Sequence, residues 1–200
     1  MLTRVMHRIS AVICLLLIAT ATPASASPNY VYPIEGCKSS YSRAHHNYPA
    51  TDILAKTGCK FLAPTSGVID EVSDVDKYSW KNNNGALRGG LSISMIGDDG
   101  VRYYGSHFSK IYSKVVPGYR VQAGELIALV GTSGDAAGTA PHVHFGISWP
   151  TESGIWWVRR GMVYPWKYLD AWKAGKDLSP AKEVLAKLRK VGEVPKRVGY

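Results

Sequence analysis

The chain has 200 residues, of which 46% are hydrophobic, enough for one domain with a sizeable core and a small appendage. Its formal charge of +9 suggests a polyanion binder, but residues 27–158 carry 11 Lys+Arg against 11 Asp+Glu, and residues 159–200 carry 11 against 4. The excess sits in the C-terminal tail. That argues against nucleic acid and for either attraction to an anionic wall or membrane surface or a merely solvated basic face.

Residues 1–26 have the order of a secretory signal: Arg4 and Arg8, then the apolar run "ISAVICLLLIAT", then "PASAS" with small residues before a cut after Ala26. An uncleaved anchor would need about 20 apolar residues. Cys14 lies inside the apolar run, preceded by bulky Ile13, which is unsuited to lipid attachment. The expected protein is therefore exported, to the wall, periplasm or medium. Export leaves Cys37 and Cys59, and outside the cytoplasm two such cysteines point to a disulfide. It would close a loop of about 20 residues and stabilise the fold by roughly 3 kcal/mol. Two free buried thiols are the alternative.

Inside that loop, "AHHNYPATDI" (44–53) places His45 and His46 seven and six residues before Asp52. Alone it reads equally as one arm of a metal site or as a polar turn. From Lys60 to Trp149 short apolar runs alternate with turn residues: "FLAPTSGVIDEV", "GGLSISMIGDDGVRYYGSHF", "YRVQAGELIALVG" and "APHVHFGISW". Asp98-Asp99-Gly100 marks a hairpin, with Gly free to take positive φ. "KNNNGALRGG" (81–90) reads as a polar loop projecting from the sheet. No helical period appears there, so the fold class is mainly β, a compact antiparallel domain over 27–158. In the 159–200 extension, "PWKYLDAWKAG" (165–175) and "SPAKEVLAKLRKV" (179–191) read as helices. The second has Ser179 as N-cap, Pro180 at its first turn, and Val184, Leu185, Leu188 and Val191 on one face.

Chemistry gathers on five histidines. His142 and His144 flank Val143, so in a strand both imidazoles leave one face. His107 ends another strand. Zinc catalysis needs three His, Asp or Glu ligands, an open position, and a group that handles protons. The helical signature H-E-x-x-H is absent, so the base is something other than a glutamate on such a helix.

Taken together, "HHNYPATDI", "APTSGVI", "YYGSHF", "VQAGELIALVGTSG" and "APHVHFGI" resemble the lysostaphin-type (LytM-like) zinc endopeptidases that cut peptidoglycan peptides. The resemblance runs over about residues 40–150 and includes Gly124, Gly131 and Gly134. It implies an antiparallel sheet with a groove between loops, one Zn²⁺ per chain, peptidoglycan peptides as partner, and action as a monomer. It further implies His46, Asp52 and His144 as metal ligands and His107 and His142 as the catalytic pair. The departure is in the first arm, where the family's usual H-x-G-x-D would put His at Tyr48 and Gly at Ala50. Strand parity with Asp52 favours His46 over His45, although Pro49 intervenes. A relative that binds wall peptides, or activates another hydrolase, without cutting is the alternative reading. For Trp156 and Trp157, packing under the tail is favoured over substrate stacking; Tyr103 and Tyr104 divide between core and groove.

Overall fold

The computed structural model describes residues 30–197; the proposed signal, with Cys14, lies outside them. Among the described residues, eleven strands form two antiparallel sheets. In chain order they are β1 (Ile34–Glu35), β2 (Ser40–Tyr41), β3 (Thr51–Leu54), β4 (Lys60–Leu62), β5 (Gly67–Ser73), β6 (Ser92–Gly97), β7 (Arg102–Ser106), β8 (Phe108–Ile111), β9 (Arg120–Val121), β10 (Leu126–Val130) and β11 (His142–Ser148). The larger sheet runs β2-β3-β11-β7-β6-β5-β9 and the smaller β1-β4-β10-β8. The hairpin expected at Asp98–Gly100 joins β6 to β7, with Gly100 at φ +75°.

Strand β11 lies inside the large sheet, between β3 and β7. Its odd positions, Val143, Phe145 and Ile147, enter the core beside Phe61 and Met95. The even face is covered as well, by residues 160–161: a Cβ on Gly146 would strike the Arg160 carbonyl. Alongside the strand, the Ile147 carbonyl accepts from the Met162 and Val163 amides at 2.8 and 3.1 Å. A strand covered on both faces has no solvent side, and in "HVHFGIS" every residue after His142 is buried, the polar His144 and Ser148 included.

Three helices follow: α1 (Trp156–Arg159), α2 (Trp166–Lys173) and α3 (Ala181–Val191). The sequence reading did not separate α1 as an element. Helix α2 buries Tyr168, Leu169 and Trp172, and Trp172 stacks on Tyr30 with ring centres 5.5 Å apart. The extension thus contributes to the same core as the β domain. Helix α3 buries Val184 and half-buries Leu188 and Val191 at i, i+4, i+7 spacing, while Leu185 turns to solvent and leaves the expected stripe. Pro180 takes the N-cap position in place of Ser179, whose hydroxyl still accepts from the Ala181 amide at 3.2 Å. Among the described residues no helix is long and apolar enough to cross a membrane. Cys37 and Cys59 are disulfide-bonded, with Cα atoms 5.9 Å apart, and the bridge encloses the histidine arm.

Candidate metal centre

Pairing register brings the site together. His144 on β11 faces Asp52 on β3 on one side and Ser106 on β7 on the other, and His107 directly follows β7. Asp52 Oδ1 lies 3.2 Å from His144 Nδ1 and 3.6 Å from His45 Nε2. One donor atom from each of His45, Asp52 and His144 lies within 4.8 Å of the others.

The remaining histidine nitrogens fix the tautomers. A carbonyl only accepts, so a ring nitrogen bonded to one carries the proton. His144 Nε2 donates to the Arg160 carbonyl at 2.8 Å and His45 Nδ1 to the Tyr48 carbonyl at 3.3 Å. His45 thus keeps Nε2 as a lone-pair nitrogen, while His144 Nδ1 donates to Asp52 Oδ1 at 3.2 Å and would become a lone-pair donor once a metal displaced that proton. With that proton gone, two imidazole lone pairs and a carboxylate, with both outward N–H groups anchored, form a donor set suited to Zn²⁺ that leaves a coordination position open. Burial pushes the Asp52 carboxyl up, but the contact with His144, then the neighbouring His45 and His142, outweighs this and holds it well below the usual carboxylate range. Burial, reinforced by His144, lowers His45 to about 4.

The histidine in this cluster is His45, where the sequence reading expected His46. His46 is exposed, its ring edge-on to His45 at 4.7 Å. Strand parity does not extend to this arm, because the segment before β3, which begins at Thr51, is not a strand and turns at His46 and Asn47. Tyr48, which stands where the commoner spacing would place a histidine, packs its ring 4.6 Å from His45 and 5.8 Å from His144.

His107 and His142 face each other beside this group, ring centres 4.9 Å apart. His107 Nδ1 donates to the Ser133 carbonyl at 2.9 Å and His142 Nδ1 to the Ala140 carbonyl at 2.8 Å, so both keep Nε2 as a lone-pair nitrogen. Burial, then the adjacent His144 and His142, lowers His107 to about 3, so its ring is neutral at ordinary pH. Its backbone is left-handed, φ +68°, a conformation costly for a non-glycine residue and held here by the bond from its amide to the Gly89 carbonyl at 2.9 Å.

The triad and the pair open onto one cleft of about 390 Å³. Gly85, Ala86 and Gly89, from the loop read in the sequence over 81–90, line it. Tyr104 lines the cleft while Tyr103 is core, its hydroxyl donating to Asp99 at 2.7 Å. Trp157 packs under the tail, donating to the Pro195 carbonyl at 2.8 Å, whereas Trp156 lines the cleft. Asp135, Arg159 and Arg160 also line it, and the sequence reading did not single them out. Arg159 and Arg160 counted there only as charges of the basic tail, and nothing local marks them as cleft residues.

A family model described as Peptidase family M23 matches residues 46–154, beginning one residue after His45. Among solved structures the chain is similar to the catalytic domain of the antimicrobial peptidase lysostaphin from Staphylococcus simulans. The identity is 25%, over 67% of this chain and 92% of that one, with a TM-score of 0.49. It is similar to the antimicrobial peptidase lysostaphin itself at 25% identity, covering 78% of this chain and 59% of that chain, TM-score 0.54. A putative peptidase M23 from Pseudomonas aeruginosa shares the fold at 20% identity, covering 72% and 53%, TM-score 0.50. The chain therefore spans less than two thirds of the latter two chains. No curated protein matches.

Proposed function

The chain belongs to peptidase family M23, and from that premise we propose that it is an exported zinc metalloendopeptidase hydrolysing peptide cross-links of bacterial peptidoglycan. The observation that carries the proposal is the convergence of three side chains able to ligate a metal beside two further histidines that present Nε2 to the same cleft. His45, Asp52 and His144 are the proposed ligands, with His45 replacing the His46 of the sequence reading. Zn²⁺ held there supplies Lewis acidity, which polarises a peptide carbonyl and acidifies a water.

The chain's own residues then handle the protons. His107 Nε2 orients the attacking water and accepts its proton; the Ser133 carbonyl fixes the ring's tautomer for this task. The proton that His107 takes passes to Nε2 of His142, whose ring centre lies 4.9 Å away and which is more open to the cleft. Through it His142 hydrogen-bonds the developing oxyanion and then delivers it to the leaving amine. One water is consumed, and a carboxylate and an amine leave. Export is supported by the leader-like first 26 residues and by the disulfide, a bond that persists in oxidising compartments.

The test is release of new amino groups from purified peptidoglycan by zinc-loaded protein, lost in His142→Ala. Zinc-loaded wild-type protein that binds peptidoglycan and releases none would leave the non-cutting relative as the better description.

A further inference from the structure

Resting on the peptidase reading, we propose that the cleft selects peptides bearing a free carboxylate near the scissile bond, recognised by Arg159 and Arg160. Neutral oligoglycine would gain nothing from these two residues. Each guanidinium stands one tyrosine ring from the metal-binding histidines. The Arg159 guanidinium lies 5.5 Å from the Tyr104 ring centre, and Tyr104 lies 6.1 Å from His144. The Arg160 guanidinium lies 3.8 Å from the Tyr48 ring centre, and Tyr48 lies 4.6 Å from His45. Both therefore sit within roughly two to four extended residues of the reacting position.

Arg159 is held in place by a built network. Strands β5 and β6 shift register between Ile69 and Glu71, so Asp70 is an extra, bulged residue. In a regular strand adjacent side chains leave opposite faces; the bulge instead brings both Asp70 and Glu71 to Arg102. Arg102, 1% exposed, pairs with Asp70 at 2.7 Å and Glu71 at 4.0 Å, and Glu71 pairs in turn with Arg159. Glu71 lines a smaller neighbouring pocket and not the main cleft, so it holds the guanidinium from outside. Four charges brought together fix one arginine against the cleft wall. A guanidinium offers five donors in a planar fork, so fixing one edge leaves others for a carboxylate. Among the cleft's carboxylates, Asp52 faces His144 at 3.2 Å, and Asp135 faces Arg88 at 3.8 Å and His107 at 4.0 Å.

The test uses four synthetic peptides of one sequence, carrying a free carboxylate or its carboxamide, placed either at the C-terminus or on the side chain beside the scissile bond. Titration calorimetry with the metal-free full chain should show the acid binding about tenfold tighter than its amide in one placement, which identifies the carboxylate's source. Arg159→Gln and Arg160→Gln should each cut that preference to about threefold or less, and Arg159→Lys should keep part of it. Equal binding of acid and amide by the wild type overturns the proposal whatever the variants do. So does a preference unchanged in both glutamine variants with wild-type melting temperature. Hydrolysis of all four peptides at equal rates by zinc-loaded protein also overturns it, while leaving the peptidase reading intact. A carboxylate preference in binding with no hydrolysis of any peptide removes the peptidase reading and leaves the recognition in place.

Discussion

The two adjacent histidines, alike in sequence, differ in the fold through one backbone bond. Tyr48 turns its carbonyl back onto His45 Nδ1 and so aims Nε2 at Asp52, while His46 is left at the surface. His45→Ala should therefore lose stoichiometric zinc and His46→Ala should retain it, measured by metal content of purified protein; the reverse result sinks the ligand assignment. Protonation gives a second residue-scale expectation. His45 and His107 have folded values of about 4 and about 3, below the ordinary value of an unfolded histidine. Below about pH 6.5 the unfolded chain thus binds protons the folded chain does not, so stability is full above that pH and falls as pH drops toward the folded values. The slope approaches about 1.4 kcal/mol per pH unit for each titrating group. Urea melts of metal-free protein across that range check it. His107→Asn, whose side chain tolerates the left-handed backbone, should flatten the profile.

Strand β11 gathers the site because it is covered on both sides. Its position 144 meets Asp52 across one ladder and Ser106 across the other, and position 146 lies under the Arg160 carbonyl that anchors His144. Gly146→Ala would push that carbonyl away. The expected result is a loss of about 1–3 kcal/mol in a urea melt, together with at least about tenfold weaker zinc binding through the displaced hydrogen bond. Unchanged zinc affinity in a folded Gly146→Ala protein would mean that the Arg160 carbonyl does not hold the ligand ring. The β5 bulge works similarly outside the cleft, since a single extra residue turns Asp70 and Glu71 toward the same arginine.

At the scale of the whole molecule, chain segments far apart in sequence close around one core. The Cys37–Cys59 bridge ties the histidine arm to β4, and Trp172 from the basic extension stacks on Tyr30 and meets Phe145 of β11 edge-on, ring centres 6.3 Å apart. Restricting the unfolded chain through that bridge is worth about 3 kcal/mol. For a chain of this size that corresponds to a melting temperature about 6–12 °C lower in reductant. An unchanged melting temperature would show that the arm is held without it.

The sequence by itself determined the β class, the hairpin at Asp98–Gly100, the bridged cysteines, and the set of histidines and aspartate from which the site is made. These depend on local chemistry: alternation, turn residues, and the small number of side chains able to bind a metal or move a proton. Asp52 and His144 were legible as partners only through the family resemblance, because they are 92 residues apart and meet by strand register. Only the tertiary structure shows His45, and not His46, beside Asp52 and His144, since a turn has no periodicity from which direction can be read. It also decided that Arg159 and Arg160, which look like tail charges, line the cleft. Their placement depends on a bulge in β5 and on the ring of Tyr48, about 90 and 110 residues away along the chain, and no local pattern carries contacts across such distances.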